Sequence, residues 1–183
     1  MPVTRLEGPR VVLVRLAAGH APVLREIRGR PEVARWWHDE AEGFPLDDDP
    51  TAVRFAVLTR DPAAPAGVDP RPRGMVQFAE EETPEYRHAG IDIFLDPELH
   101  GRGFGREVVA VLAAYLIDVR GHHRLTIDPA ADNARAIACY AAVGFRPVGV
   151  MRQYERGPDG SFYDGLLMDL LAAELRRPND GRE

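Results

Sequence analysis

A chain of 183 residues with 45% hydrophobic and 28% charged side chains is long enough to bury a core without disulfides or a structural metal. Its net charge of -6 excludes nucleic acid as the main partner, because phosphate binding needs a basic face. One cysteine, Cys139, excludes an intramolecular disulfide framework and fits a reducing compartment, and no apolar run approaches the roughly 20 residues that span a bilayer.

No basic-then-apolar leader opens the chain, so the expectation is a cytoplasmic protein with no membrane partner. All 23 basic residues are arginine, which reads as a coding bias rather than a site-specific device.

Val11–Leu16 is a short β-branched run and reads as a first strand. Ala21–Trp37 is helical in character, but Gly29 and Pro31 divide it into two short helices. An acidic loop follows, with Asp47, Asp48 and Asp49 in a row. Arg54–Thr59 and Met75–Ala79 read as hairpin partners joined by an irregular, proline-rich connection. After Glu80–Glu85, Ala89–Leu95 is a clear strand.

Gly103–Val119 keeps helical spacing through Val108, Val111, Leu112, Tyr115, Leu116 and Val119. Arg124–Asp128 is a short strand with Leu125 and Ile127 on one face. Asn133–Val143 is a compact helix stopped by Gly144. Phe145–Tyr154 and Phe162–Leu170 form a hairpin. The pattern predicts one α/β domain over residues 1–177, followed by a flexible polar tail at 178–183.

The stretch most informative about chemistry is His100-Gly101-Arg102-Gly103-Phe104-Gly105-Arg106, placed between a strand and a long helix. Glycines allow a tight turn and expose successive N–H groups, and the helix start behind them adds its positive dipole end. A pyrophosphate suits such a loop, although the spacing matches neither a P-loop nor a dinucleotide fingerprint. Downstream stand Asn133, Ala136, Tyr140, Gly144 and Phe145, with Asn133 and Tyr140 two helical turns apart on one face.

With both motifs in this order, the sequence resembles the GNAT superfamily of acetyl-CoA-dependent N-acetyltransferases. The resemblance implies a mixed central sheet splayed between its fourth and fifth strands, with flanking helices. It implies acetyl-CoA as cosubstrate and no metal, with cofactor contacts at Phe94, Leu95, Arg102, Gly103, Phe104, Gly105, Arg106, Asn133, Ala136 and Tyr140. Backbone groups near Phe94 and Leu95 would pair with the pantetheine arm, Asn133 would bond it, and Tyr140 would lie near sulfur. His100 departs from the Arg or Gln usual at its position.

Four further blocks look like the type Ib aminoglycoside 6'-N-acetyltransferases: Val33-Ala34-Arg35-Trp36-Trp37, Glu80-Glu81-Glu82-Thr83, Gly90-Ile91-Asp92 and Thr126-Ile127-Asp128-Pro129. Kasugamycin 2'-N-acetyltransferases belong to the same branch. The likeness implies Asp92 and Asp128 at the amine end of the site.

The residues themselves agree. Asp92 interrupts an apolar strand, where an unpaired charge is costly, and Asp128 ends a strand on the usual ligand side of an α/β sheet. Each could instead be a carboxylate paired with arginine or backbone N–H groups.

The expected catalytic set is Asp92, Asp128 and Tyr140. The expected substrate contacts add Trp36, Trp37, Asp39 and Glu80. One of the tryptophans is expected in the core.

The substrate expected from this is a small polycationic amine such as an aminoglycoside, met by a monomer or homodimer. A siderophore or lysine-type amine is the alternative. Cys139 reads as packing, His122 and His123 lack a third metal ligand, and His88 is a minor candidate base.

Overall fold

The computed structural model describes residues 3–37, 43–47, 51–60, 70–157 and 159–177. The polar stretch at 178–183 lies outside them, as do Asp39, Glu40, Glu42, Asp48 and Asp49.

Among the described residues, eight strands form one mixed sheet: β1 (Arg5–Glu7), β2 (Val11–Arg15), β3 (Ala52–Thr59), β4 (Gly74–Glu81), β5 (His88–Leu95), β6 (Arg124–Ile127), β7 (Arg146–Arg156) and β8 (Phe162–Leu171). Their order across the sheet is β1-β2-β3-β4-β5-β6-β8-β7. Among the described residues only the β5–β6 contact is parallel. The helices are α1 (Ala21–Arg28), α2 (Pro31–Ala34), α3 (Phe104–Asp118) and α4 (Ala134–Val143). Gly29 and Pro31 separate α1 from α2 as their backbone chemistry requires. The short strand β1 had no period-2 signal of its own, and its presence shifts the numbering of the strands after it by one.

Alternation along the strands sorts side chains to two faces. Val11, Leu13, Phe55, Val57, Val76, Phe78 and Ile91 face α3, which is buried almost all round through Val108, Leu112 and Leu116. Truncating either leucine costs about 2–5 kcal/mol by loss of burial and a residual cavity. Leu24, Ile27, Val33, Phe44, Met75 and Phe94 form a second cluster, which joins α1 and α2 to the opposite face.

The parallel pair opens almost as soon as it starts. β5 and β6 are in register only at Ala89↔Leu125 and Gly90↔Thr126, while β5 stays paired with β4 as far as Leu95. On its other side β6 keeps its ladder with β8 from Arg124 to Ile127. The sheet is therefore splayed at the two strands the motifs implied, fourth and fifth by the sequence reading and β5 and β6 here.

Candidate active site

The bonded register of β4 and β5 decides what the open seam offers. Asp96 N donates to Arg73 O at 2.8 Å, so even-numbered residues of β5 exchange backbone bonds with β4 and odd-numbered ones face the seam. Two seam-side carbonyls are taken by side chains: Trp37 Nε1 donates to Ile93 O at 3.2 Å, and His100 Nε2 lies 3.0 Å from Leu95 O.

A carbonyl only accepts, so the His100 ring carries its proton on Nε2. Burial, then the Arg135 charge, holds this histidine below its usual pKa and keeps it neutral near pH 7. His100 thus closes the end of β5. Of the two residues expected to offer backbone to a ligand, Leu95 faces the seam. Phe94 turns its backbone to β4 and packs its ring edge-on against Trp37, 4.9 Å between centroids.

The seam widens into a cleft of about 900 Å³. One end is the glycine loop. Gly101 (φ 71°) and Gly103 (φ 80°) sit in the left-handed region that favours glycine, and Gly103 precedes the first turn of α3. The first amides of a helix have no partner within it, so this turn presents free donors. Gly105 is small for a different reason: a Cβ there would lie 3.1 Å from Cys139 Sγ, where α4 crosses α3. Gly103, Gly105 and Arg106 line the cleft, as do Asn133 and Ala136.

Arg102 and Phe104 are not among the lining residues. Phe104 is buried beneath the Arg10 guanidinium at 4.4 Å, and Arg102 lies over the same ring at 5.4 Å. Asn133 Oδ1 accepts from Ala136 N at 3.2 Å, so this side chain caps α4 while lining the cleft.

The loop is braced from below. Asp96 is buried, accepts from Glu98 N at 3.1 Å, and meets Arg30 at 2.7 Å and Arg73 at 3.2 Å.

The other end of the cleft is acidic. Asp92, Asp128 and Glu155 gather there around Tyr154, while Glu32, which also lines the cleft, acts on His100 at the end of β5; Trp36 and Trp37 form an aromatic wall. Trp37 is also the core tryptophan, fixed by its bond to Ile93 and its packing on Phe44 and Phe94. Trp36 carries Arg35 over its ring at 4.4 Å.

Asp92 opens to the cleft, yet protein surrounds it on most sides. That burial, reinforced by the nearby Asp128 charge, raises its carboxyl above the usual range despite a bond from Gln77. Tyr140 is buried against Phe145, and its hydroxyl is pushed up by burial and by the charges of Cys139, Asp92 and Asp128. Burial pushes the Cys139 thiol up to about 11, against the pull of Arg106 and Arg135.

Tyr154 is a contact that sequence reading missed. Its side chain bonds Asp128; that bond first, then burial, pushes the hydroxyl up to about 12. The β7–β8 register slips between Met151 and Glu155, and Gln153 in this bulge has φ 52° with its N–H bonded to Asp164 Oδ1 at 2.8 Å. The bulge re-aims Tyr154 and Glu155 into the cleft. Gly165 makes room, since a Cβ there would lie 2.8 Å from the Tyr154 ring. A bulge on one strand leaves no sequence pattern to detect. Gln77, Arg135 and Glu32 were also missed, each being an ordinary polar residue until the fold places it.

Glu80 is a correction. It shares strand parity with Val76 and Phe78, so it points to the α3 face and away from the cleft. There it accepts from Arg120 at 2.8 and 3.1 Å and meets the buried His122 at 2.6 Å. Burial alone would raise this carboxyl, but the bonds from Arg120 and His122 outweigh it and hold it low. His88 is turned to Tyr86 O at 2.7 Å and is not among the lining residues. Asp39 lies outside the described residues.

Proteins named as acetyltransferases are similar to this chain in sequence or in fold. The chain is 29% identical over 164 residues to aminoglycoside N(6')-acetyltransferase type 1 of Klebsiella pneumoniae, covering 81% of this chain and 79% of that one. Its fold matches ribosomal-protein-S5-alanine acetyltransferase from Vibrio fischeri at a TM-score of 0.76, with 18% identity over 95% of this chain and 100% of that one. It also matches spermidine N-acetyltransferase from Vibrio cholerae, solved with CoA and spermine, at a TM-score of 0.73, with 20% identity over 91% and 98% of the two chains. The model of the acetyltransferase (GNAT) family matches residues 23–145, and with the splayed sheet and glycine loop in place the chain belongs to that family.

Proposed function

We propose that the protein transfers the acetyl group of acetyl-CoA to an amino group of an aminoglycoside, by direct attack of the amine on the thioester. The observation that carries this reading is the position of Asp92: a carboxylate in the open seam, with Asp128 beside it and the glycine loop at the other end of one cleft.

The residues fit the cosubstrate. The unpaired amides at Gly103–Arg106 and the start of α3 suit a pyrophosphate, with Arg106 and Arg135 adding charge. The seam-side amides of β5 are donors for an extended amide arm and for charge developing on a carbonyl oxygen. Acetyl-CoA supplies an activated thioester carbonyl.

An alkyl ammonium has a pKa of about 10, so the amine must lose a proton before it attacks. Asp92 and Asp128 hold the cation. Asp92, a stronger base than an exposed aspartate, accepts the proton directly or through water. The new N–C bond forms as the C–S bond breaks. Tyr140, which stays protonated at neutral pH, gives its proton to the departing sulfur and recovers one from solvent.

Three carboxylates, Asp92, Asp128 and Glu155, in a cleft also lined by two tryptophans suit a cationic ring system, whose faces are apolar and whose edges carry ammonium groups. The relative in Klebsiella pneumoniae supports the same class. A linear polyamine is the second reading, favoured by the Vibrio cholerae structure with spermine.

The test is CoA release on kanamycin by the parent protein and by Asp92→Asn and Asp128→Asn. Turnover that falls by about 100-fold or more in Asp92→Asn supports the assignment. Full activity in both variants overturns the carboxylate roles.

A further inference from the structure

Arg54, Gln77 and Asp92 stand opposite one another on β3, β4 and β5, in the registers Arg54↔Gln77 and Gln77↔Asp92. They form one polar row across three strands, on the face that carries α1 and α2. The row is continuously bonded. Gln77 Nε2 donates to Asp92 Oδ2 at 3.1 Å, and Arg54 Nε donates to Gln77 Oε1 at 2.9 Å. Arg54 is itself clamped, with Nη1 and Nη2 on the two Asp47 carboxylate oxygens at 2.6 and 3.0 Å and Nη1 on Pro45 O at 2.9 Å. Both members of that ion pair are largely shielded, with side-chain exposures of 12% and 19%.

We propose that Arg54 and Gln77 are positioning residues: Arg54 locks the Gln77 amide in the one orientation that presents an N–H to Asp92, which favours the ionised, proton-accepting form of that carboxylate. This deepens the proposed function and rests on its reading of Asp92.

An amide side chain is nearly symmetric in shape, and its two ends differ only in donating or accepting. Guanidinium has donors alone, so the Gln77 oxygen must face Arg54 and its nitrogen must face Asp92. The flipped amide would set donor against donor at Arg54 and oxygen against carboxylate at Asp92. The other groups around Asp92 do not supply such a donor in the described bonds. Asp128 and Glu155 are acidic, Tyr154 is bonded to Asp128, and Tyr140 and Glu32 line the same cleft. Burial and the Asp128 charge push Asp92 towards its neutral form, and Gln77 opposes both.

The experiment is a 13C-carboxyl NMR titration of Asp92, its signal identified by its loss in Asp92→Asn, run on the parent, Gln77→Glu and Arg54→Met. It is paired with the pH–rate profile on whichever amine the parent turns over. Gln77→Glu keeps an acceptor for Arg54, so its Tm should stay near the parent's, while it replaces the donor facing Asp92 with a negative group. The Asp92 midpoint is expected to rise by about one pH unit, and the acid limb of kcat/KM to move with it. Arg54→Met frees the amide to turn and should raise the midpoint too, with a lower Tm from loss of the Asp47 pair.

An Asp92 midpoint unchanged in Gln77→Glu overturns the proposal. A midpoint that moves while the acid limb stays fixed upholds the positioning of Asp92 and removes its role as the base.

Discussion

Glu107, in the first turn of α3, accepts from Arg10 twice, from the backbone N–H at 2.6 Å and from Nε at 2.8 Å, and takes the Val11 amide at 3.1 Å as well. Arg10 in turn donates to Arg102 O at 3.1 Å and covers the Phe104 ring. The start of β2 and the glycine loop are thereby tied through one buried carboxylate.

Glu107→Ala leaves the buried Val11 amide and the part-buried Arg10 amide without that partner. The expected cost is about 2–4 kcal/mol in chemical denaturation, because an unsatisfied buried donor loses its full solvation. CoA should also bind more weakly by about tenfold, since Arg102 O loses its brace. Unchanged CoA affinity in a folded Glu107→Ala protein would show that the brace does not order the loop.

Cys139 sits beside Tyr140 in the cleft, but its thiol is pushed up to about 11 by burial. At pH 7.5 on the order of one thiol in three thousand is ionised, too few for a working nucleophile. Alkylation by iodoacetamide should be at least about 100-fold slower than for free cysteine, and no acetyl-enzyme should appear by mass spectrometry. A mass increase matching one acetyl group on Cys139 during turnover would replace direct attack by a two-step route.

Asp92 carries a raised folded-state pKa, and the sign of its effect on stability follows. Between its ordinary value, about 4, and the raised folded value, the native state binds more protons than the unfolded state, so stability falls as pH rises. Above the folded value the full cost of the partly desolvated charge is present. Asp92→Asn removes the charge while keeping an acceptor for Gln77. Its Tm should therefore exceed the parent's at pH 7.5, with the gap closing as pH falls to about 4. Equal Tm values across that range would mean that Asp92 is solvated as an exposed carboxylate is.

Much of this was legible in the chain. The glycine loop, the Asn133–Tyr140 spacing and the apolar runs of β3 to β5 are local signals in the chain, and Gly29 with Pro31 had to break a helix. Asp92 stood out because a charge inside an apolar strand needs a reason. Glu80 misled, because an acidic run says nothing about which face of a strand each member occupies; parity with Val76 and Phe78 decided it. Tyr154 needed the bulge at Gln153, and Gln77 needed two strand registers, neither of which a single sequence encodes in a readable period.

The proposed reaction is acetylation of an aminoglycoside in the cleft that Asp92 and Asp128 line. The most direct measurement is kcat/KM for CoA release from acetyl-CoA with kanamycin, set against spermidine, lysine and a short peptide under one buffer. Kanamycin should give the highest value, with a product heavier by one acetyl group on nitrogen. A kanamycin value at background alongside efficient turnover of spermidine or lysine would contradict it, and would leave the protein an acetyltransferase of linear amines.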